Sequence, residues 1–163
     1  MNNRTSTFNR FSLLVVASSL ILTSVSCQKS ATQETVYREG NPPVSSVSDD
    51  DPEMNKAIQK ARDTLNSFIA ELKKQGNREF AVKAGLSTPE GGIEHIWIDD
   101  PVYDGNQFKG KLGNEPLRLK DVKLGDPIVV EREKVSDWII MDGEKMTGGY
   151  TAKVLMEREE AKK

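Results

Sequence analysis

The stretch that decides the fold is DDDPEMNKAIQKARDTLNSFIAELKK, residues 49–74. An aspartate followed by Pro52 and Glu53 is a favourable helix start, because aspartate caps a helix, proline fits its first position and acids favour the positive end of the dipole. The closing lysine pair and Gly76 suit the other end. Apolar residues recur at spacings of three and four, which predicts one amphipathic helix. They are Met54, Ala57, Ile58, Ala61, Leu65, Phe68, Ile69 and Leu72.

The polar face of this helix mixes acids and bases. A helix that lies on a membrane surface is usually basic on that face, so packing on a sheet is the favoured use. From Phe80 onward the apolar period changes to alternation, which is typical of half-buried strands. Turn sequences such as Asp104-Gly105 and Asp142-Gly143 separate the apolar runs and leave no room for crossovers, so the strands should be antiparallel.

The sequence therefore predicts an α+β fold. One long N-terminal amphipathic helix should pack on a curled antiparallel sheet of six to seven short strands, or on a half-open barrel. The predicted strands include residues 117–119. They also include a last hairpin whose second arm is residues 146–155, bulged or bent at Gly148-Gly149.

Residues 1–26 have the pattern of a signal peptide. Arg4 and Arg10 form a basic region, and the apolar run that follows is shorter than the roughly 20 residues that span a bilayer. The run ends at TSVSC, which resembles the lipobox that precedes a lipid-modified cysteine, although Ser24 stands where leucine is usual. Cys27 is the single cysteine of the chain. We predict lipidation of Cys27; the alternatives are an ordinary secretory peptide or an uncleaved anchor.

Residues 27–50 are predicted to be a disordered tether behind the lipidated cysteine, because they are rich in Ser, Thr, Pro and charge. Two or three acyl chains, such as palmitate, would hold a lipoprotein lastingly, since each buried CH₂ contributes about 0.8 kcal/mol. The chain is then exported and anchored to the cell membrane or outer membrane, with its domain facing the periplasm or the exterior. Gln28 favours the outer membrane, because an aspartate there commonly retains lipoproteins at the inner one.

The charge balance gives no electrostatic case for a nucleic-acid partner. The chain has 23 basic and 25 acidic residues, and the predicted signal peptide contains two of the basic ones, so the mature chain is mildly acidic. Residues 51–156 are predicted to be the folded domain and residues 157–163 a charged, frayed tail.

Three stretches carry a family resemblance. DDDPEM covers residues 49–54, GGIEHIW covers residues 91–97, and LGD at 124–126 leads to SDW and GGYT at 136–138 and 148–151. In this order they resemble the YegJ-like bacterial family catalogued as domain of unknown function 2314, over about residues 49–155. The resemblance implies one domain that is often found behind a signal peptide. It implies no activity, because the family is uncharacterised.

His95 is the single histidine, and alternation places it on the face of Ile93 and Trp97, opposite Glu94. It could be a proton shuttle or the anchor of a site, or a partly buried side chain bonded to a loop. No metal and no cofactor is predicted. With Cys27 lipidated, zinc sites built from several Cys and His ligands are excluded, the aspartates of residues 99–104 lack calcium-loop spacing, and the paired glycines near the end lack the phosphate-loop pattern.

The candidate binding face consists of His95, Trp97, Trp138 and Tyr150. Aromatic residues are favoured at interfaces but also fill the cores of small sheets. The leading hypothesis is a membrane-anchored lipoprotein with a small non-enzymatic binding domain for an envelope component, because one strand is apolar on both faces and only one helix is present to cover it.

Two alternatives to a binding module stay open. The first is an envelope hydrolase centred on His95 with Asp99 or Asp137, which would place a concave pocket around the histidine. The second is a toxin-immunity or inhibitor protein. Composition does not separate these classes, nor does it indicate the ligand or the oligomeric state.

Overall fold

The computed structural model describes residues 34–38, 41–74 and 76–163, which all belong to the second of two compact units, Ala31–Lys163. The predicted signal peptide and Cys27 lie outside the described residues. The elements are β1 Glu34–Arg38, β2 Asn41–Ser46, α1 Pro52–Leu72, β3 Glu79–Ser87, β4 Ile93–Tyr103, β5 Gln107–Leu112, β6 Pro127–Glu131, a 3₁₀ turn Arg132–Lys134, β7 Val135–Asp142, β8 Lys145–Gly148 and α2 Tyr150–Glu160.

Helix α1 begins and ends where the sequence predicts. The Asp51 carboxylate accepts hydrogen bonds from the backbone N–H groups of Glu53 and Met54, at 3.1 and 2.9 Å, and so satisfies two groups that the helix leaves without partners. The helix ends at Leu72, and Gly76 follows with a φ of +104°. Five positions of the predicted stripe are buried: Ala57, Ala61, Leu65, Phe68 and Ile69.

Strands β3 to β8 form one antiparallel sheet in the order β6-β5-β4-β3-β7-β8, and the sheet is not closed into a barrel. Alternate residues of β3 and β4 pack in a core with α1. Phe68 of α1 lies at its centre, with ring centroids 6.2 Å from Phe108 and 5.3 Å from Trp138. Full burial of such a side chain stabilises the fold by about 3 kcal/mol. The α+β prediction is confirmed.

One predicted strand is wrong, and another is shorter than predicted. Residues 117–119 are not a strand, because their backbone N–H groups donate to the buried Glu94 carboxylate instead of to a neighbouring strand. The last hairpin is confirmed up to residue 148, where β8 pairs with β7. The rest of its predicted second arm is wrong, because β8 stops at Gly148 and α2 starts at Tyr150. The predicted bend at Gly148-Gly149 is therefore the end of the strand. Both glycines have positive φ, which turns the chain out of the sheet.

The prediction of a frayed tail is wrong for the first residues of that segment. Residues 157–160 belong to α2, and Arg158 joins that helix to the start of α1 through Asp51 at 2.7 Å and Glu53 at 2.7 Å. The Arg158 hydrogen bond lowers the pKa of Asp51 to about 2. The same carboxylate thus caps α1 and holds α2.

The predicted tether contains some regular structure. Residues 34–46 include an antiparallel pair, β1 and β2, which forms a sheet of its own. The composition argument missed it because β-branched Thr35, Val36 and Val44 favour strands locally within a polar segment. No helix in the described part of the chain has the length and apolar character needed to cross a membrane.

Candidate functional site

The candidate site lies on the face of the sheet opposite the core. Lys83 of β3 is paired with Trp97 of β4 on one side and with Asp137 of β7 on the other. Gly85 is paired with His95 in the same way. Successive side chains of a strand point to opposite faces of the sheet. The core residues Val82 and Ala84 point to one face, so Lys83 and the residues paired with it lie on the other.

An irregularity in β7 adds a serine to this face. The pairing of β3 with β7 shifts between Lys83 and Ala84, so Ser136 is an extra residue between Val135 and Asp137. Its hydroxyl donates to the carbonyl of Lys83 at 3.3 Å and lies 2.8 Å from Nδ1 of His95. A hydroxyl has one proton to donate, so this network assigns the Nδ1–H tautomer to His95 and leaves Nε2 as an acceptor.

His95 is uncharged at neutral pH. Desolvation by the surrounding protein lowers its pKa to about 4, and the positive charges of Lys83 and Arg62 act in the same direction. His95 as a whole is exposed, but its ring packs against β3 at Gly85. A Cβ added to Gly85 would lie only 3.2 Å from Cε1 of His95, so the absence of a side chain at Gly85 allows the ring to lie this close. His95 therefore offers a neutral imidazole to a ligand.

Lys83 is a half-buried cation on this face. Its Nζ lies 5.4 Å from the centroid of the Trp97 ring and 3.5 Å from the hydroxyl of Thr151, which is a long contact for a hydrogen bond. Burial lowers the pKa of Lys83, and the negative charge of Asp137 opposes that shift. Within the described ranges, no carboxylate oxygen forms an ion pair with it inside 4 Å.

Asp137 is fully buried and caps α2 from the neighbouring strand. Its Oδ1 accepts from the backbone N–H groups of Trp138 and Tyr150, at 2.8 and 3.0 Å. Its Oδ2 accepts from the backbone and the hydroxyl of Thr151, at 2.8 and 2.7 Å. Gly149 at the usual capping position has no side chain, so Asp137 supplies the acceptors that the helix start requires.

The structure separates the four residues of the predicted binding face. His95 and Trp97 share the face described above. Trp138 is 3 % exposed and belongs to the core, where its indole N–H donates to the carbonyl of Ala61 at 3.1 Å. Tyr150 packs edge-on against Trp138 at 5.7 Å. The sequence could not place Trp138 and Tyr150, because aromatic residues serve in cores and interfaces alike.

The carboxylates that the hydrolase hypothesis requires do not bond to His95. Its partner is Ser136, whereas the four hydrogen bonds that Asp137 accepts come from Trp138, Tyr150 and Thr151. Asp99 is exposed, and desolvation raises its pKa. Alternation predicts the separation of Glu94 from His95, and the structure shows what Glu94 does: it binds three backbone N–H groups of the loop after β5.

A shallow cavity of about 300 Å³ is lined mainly by residues of β3 and β6, and His95 does not line it. Its lining residues are Gly85, Leu86, Ser87, Gln107, Val129, Val130, Glu131 and Lys134. Across the residues that the structure describes, no group of three or more His, Cys, Asp and Glu side chains could hold a metal ion.

Sequence reasoning missed the central role of Lys83, Ser136 and Thr151. A lysine within an alternating strand carries no signal beyond exposure. Asp137 was named only as a partner for His95. The residues become a site through the irregularity in β7 and through the helix that follows β8.

The fold is a small α+β domain with an open antiparallel sheet. The family described as "Uncharacterized protein conserved in bacteria (DUF2314)" matches residues 51–163, and the chain belongs to that family. The match includes the residues predicted to be a tail.

Two curated relatives were found. The chain is 36 % identical over 103 residues to "Uncharacterized protein YegJ" of Escherichia coli strain K12, which covers 63 % of this chain and 67 % of that protein. It is 32 % identical over 114 residues to "Putative ankyrin repeat protein NMB1133/NMB1171" of Neisseria meningitidis serogroup B, which covers 64 % of this chain and 45 % of that protein. No solved structure matches the chain significantly.

Proposed function

We propose that this chain is a lipoprotein held in the cell envelope by lipid on Cys27, and that its domain is a non-enzymatic binding module. The module engages an envelope component through the outer face of β4, which carries Ile93, His95 and Trp97. The observation that carries this proposal is that Ile93 is 52 % exposed and Trp97 is half-buried on the face that α1 does not cover.

The two faces of β4 support this assignment by their contrast. Ile96 and Ile98 are completely buried, and Ile98 packs in the core with α1, so the core has used one apolar face of the strand. Ile93 and Trp97 flank His95 on the other face, so the three form a continuous row along the strand. A row of an isoleucine, an imidazole and an indole provides apolar contact area with one polar group, which suits a protein or small-ligand interface.

The anchor can be tested by replacing Cys27 with serine. We expect an unprocessed precursor or a product absent from the membrane fraction, because a hydroxyl does not replace the thiol that receives the lipid. Incorporation of labelled palmitate and the mass of the mature N-terminus measure this directly. Ser24→Leu is the matched control, since it brings the predicted lipobox nearer its usual form and should be processed like the parent. A Cys27→Ser variant that matures and fractionates normally would refute the anchor.

The binding face can be tested by Ile93→Asp. We expect this variant to capture at least tenfold less protein or glycan from native membranes than the parent captures, because a carboxylate in an apolar interface must be desolvated without a partner. The control is Val102→Asp on the same strand. Val102 is 64 % exposed, and it lies beyond the point at which the pairing of β4 with β5 shifts register, so the capture should persist. Equal capture by both variants and the parent would show that this face is not the interface.

A further inference from the structure

The cation beside this face indicates which chemical group the domain recognises. We propose that the ammonium group of Lys83 binds the carboxylate of an apolar acid, and that the hydrophobic part of that acid lies along Trp97 and Ile93. This inference rests on the proposed binding face and names its ligand class.

The first step compares the N–H donors of the Lys83 ammonium group with the acceptors around it. It has three N–H donors, whereas the described contacts supply one long bond to Thr151 at 3.5 Å and the π face of Trp97. A donor that the protein shields from water and leaves without an acceptor is unfavourable. The half-buried Lys83 is therefore held with donor capacity that the fold does not use.

The second step is that the nearest acid cannot satisfy it. Asp137 accepts four hydrogen bonds, two on each oxygen, from Trp138, Tyr150 and Thr151. Thr151 stands between the two charges, since its hydroxyl donates to Asp137 and accepts from Lys83. Asp137 thus serves α2, and the Lys83 charge keeps only a long-range attraction to it.

The third step is the chemistry of the surroundings. An anionic oxygen would complete the donor set of Lys83 in a partly desolvated place, where a charge-assisted hydrogen bond is strong. The indole of Trp97 adjoins it, and the exposed side chain of Ile93 lies further along the same face, where it is paired with Ser87. The group attached to the anion should therefore be apolar. His95 is neutral here and adds no second positive charge, which favours a singly charged carboxylate over a phosphate. A free apolar acid and the C-terminus of a peptide both present this chemistry.

The test is an NMR titration of the full chain, using N-acetylphenylalanine as the probe. N-acetylphenylalanine amide and inorganic phosphate are run in parallel. We expect the side-chain resonances of Lys83 and the indole resonances of Trp97 to shift with the acid, and to shift at least tenfold more weakly with the amide or phosphate. A peptide ending in phenylalanine, compared with its amidated form, distinguishes a chain end from a free acid.

Two variants complete the test. Lys83→Met should lower the affinity for the acid at least tenfold and leave the urea midpoint unchanged or raised, because it removes a cation that forms no ion pair with the residues the structure describes. Lys111→Met, on an exposed lysine, should change neither. Absence of any shift at Lys83 and Trp97 in the parent, or equal affinity in Lys83→Met, would overturn the inference. If the probe fails to bind while Ile93→Asp still abolishes capture, the ligand class is wrong and the binding face stands. If the probe binds at Lys83 and Trp97 while Ile93→Asp leaves capture unchanged, the envelope component does not bind through this face.

Discussion

Replacing Asp137 by alanine is expected to lower the free energy of unfolding by about 4 kcal/mol. The substitution leaves the backbone N–H groups of Tyr150 and Thr151 and the Thr151 hydroxyl without their acceptor, at a site that water does not reach. It also removes the negative charge nearest to Lys83. Each orphaned donor carries a desolvation cost, so the loss should exceed that of an ordinary exposed helix cap, which is about 1 kcal/mol.

Urea unfolding followed by circular dichroism measures this loss. Amide exchange at Tyr150 and Thr151 reports the same event locally and should accelerate first. Asp142→Ala is the matched control, because that aspartate is exposed on the same strand, and its replacement should change the stability by no more than about 0.5 kcal/mol. If the stability of Asp137→Ala lies within about 1 kcal/mol of the parent, α2 does not depend on this carboxylate.

Replacing Gly148 by alanine is the second large effect that we expect, at about 4 kcal/mol or more. Gly148 has a φ of +79°, which strains any L side chain, and a Cβ there would collide with the carbonyl oxygen of Trp138 and lie 2.5 Å from its Cε3 atom. Neither atom can yield easily. The carbonyl accepts the N–H of Gly149 at 2.8 Å, and the indole is packed in the core. The substitution should also lower the expression of folded protein.

A variant at Gly143 separates the strain of a positive φ from the collision with Trp138. Its φ of +58° is also positive, but nothing lies within 4 Å of the added Cβ, so Gly143→Ala measures backbone strain alone, about 1 to 2 kcal/mol. The difference between the two variants in urea unfolding is then the cost of the collision. Equal losses at both positions would mean that the close approach of Gly148 to Trp138 does not constrain the fold.

The features that sequence reasoning predicted correctly depend on near neighbours. Asp51 caps a helix that starts with the very next residue, and the stripe from Ala57 to Ile69 follows from the helical repeat alone. The alternation of β4 likewise predicts that His95 and Trp97 share a face. The second helix was missed because Tyr150 and Thr151 are poor signals for a helix start, and the acceptor that caps them lies on another strand.

The site was harder to predict than the fold. Its hydrogen bonds join residues far apart in the chain, such as Ser136 with the carbonyl of Lys83 across 53 positions and Lys83 with Thr151 across 68. One extra residue in β7 brings the serine onto this face, and a register shift of that kind leaves no periodic trace in the sequence.

The sequence by itself determined the long helix, the antiparallel class of the sheet, the two faces of β4 and the family, because each depends on local spacing or on ordered motifs. Only the tertiary structure decided that Trp138 is core, that Asp137 serves α2 and that Lys83 has no ion-pair partner among the described residues. Those outcomes depend on which strands become neighbours and in what register, and packing between distant segments sets both.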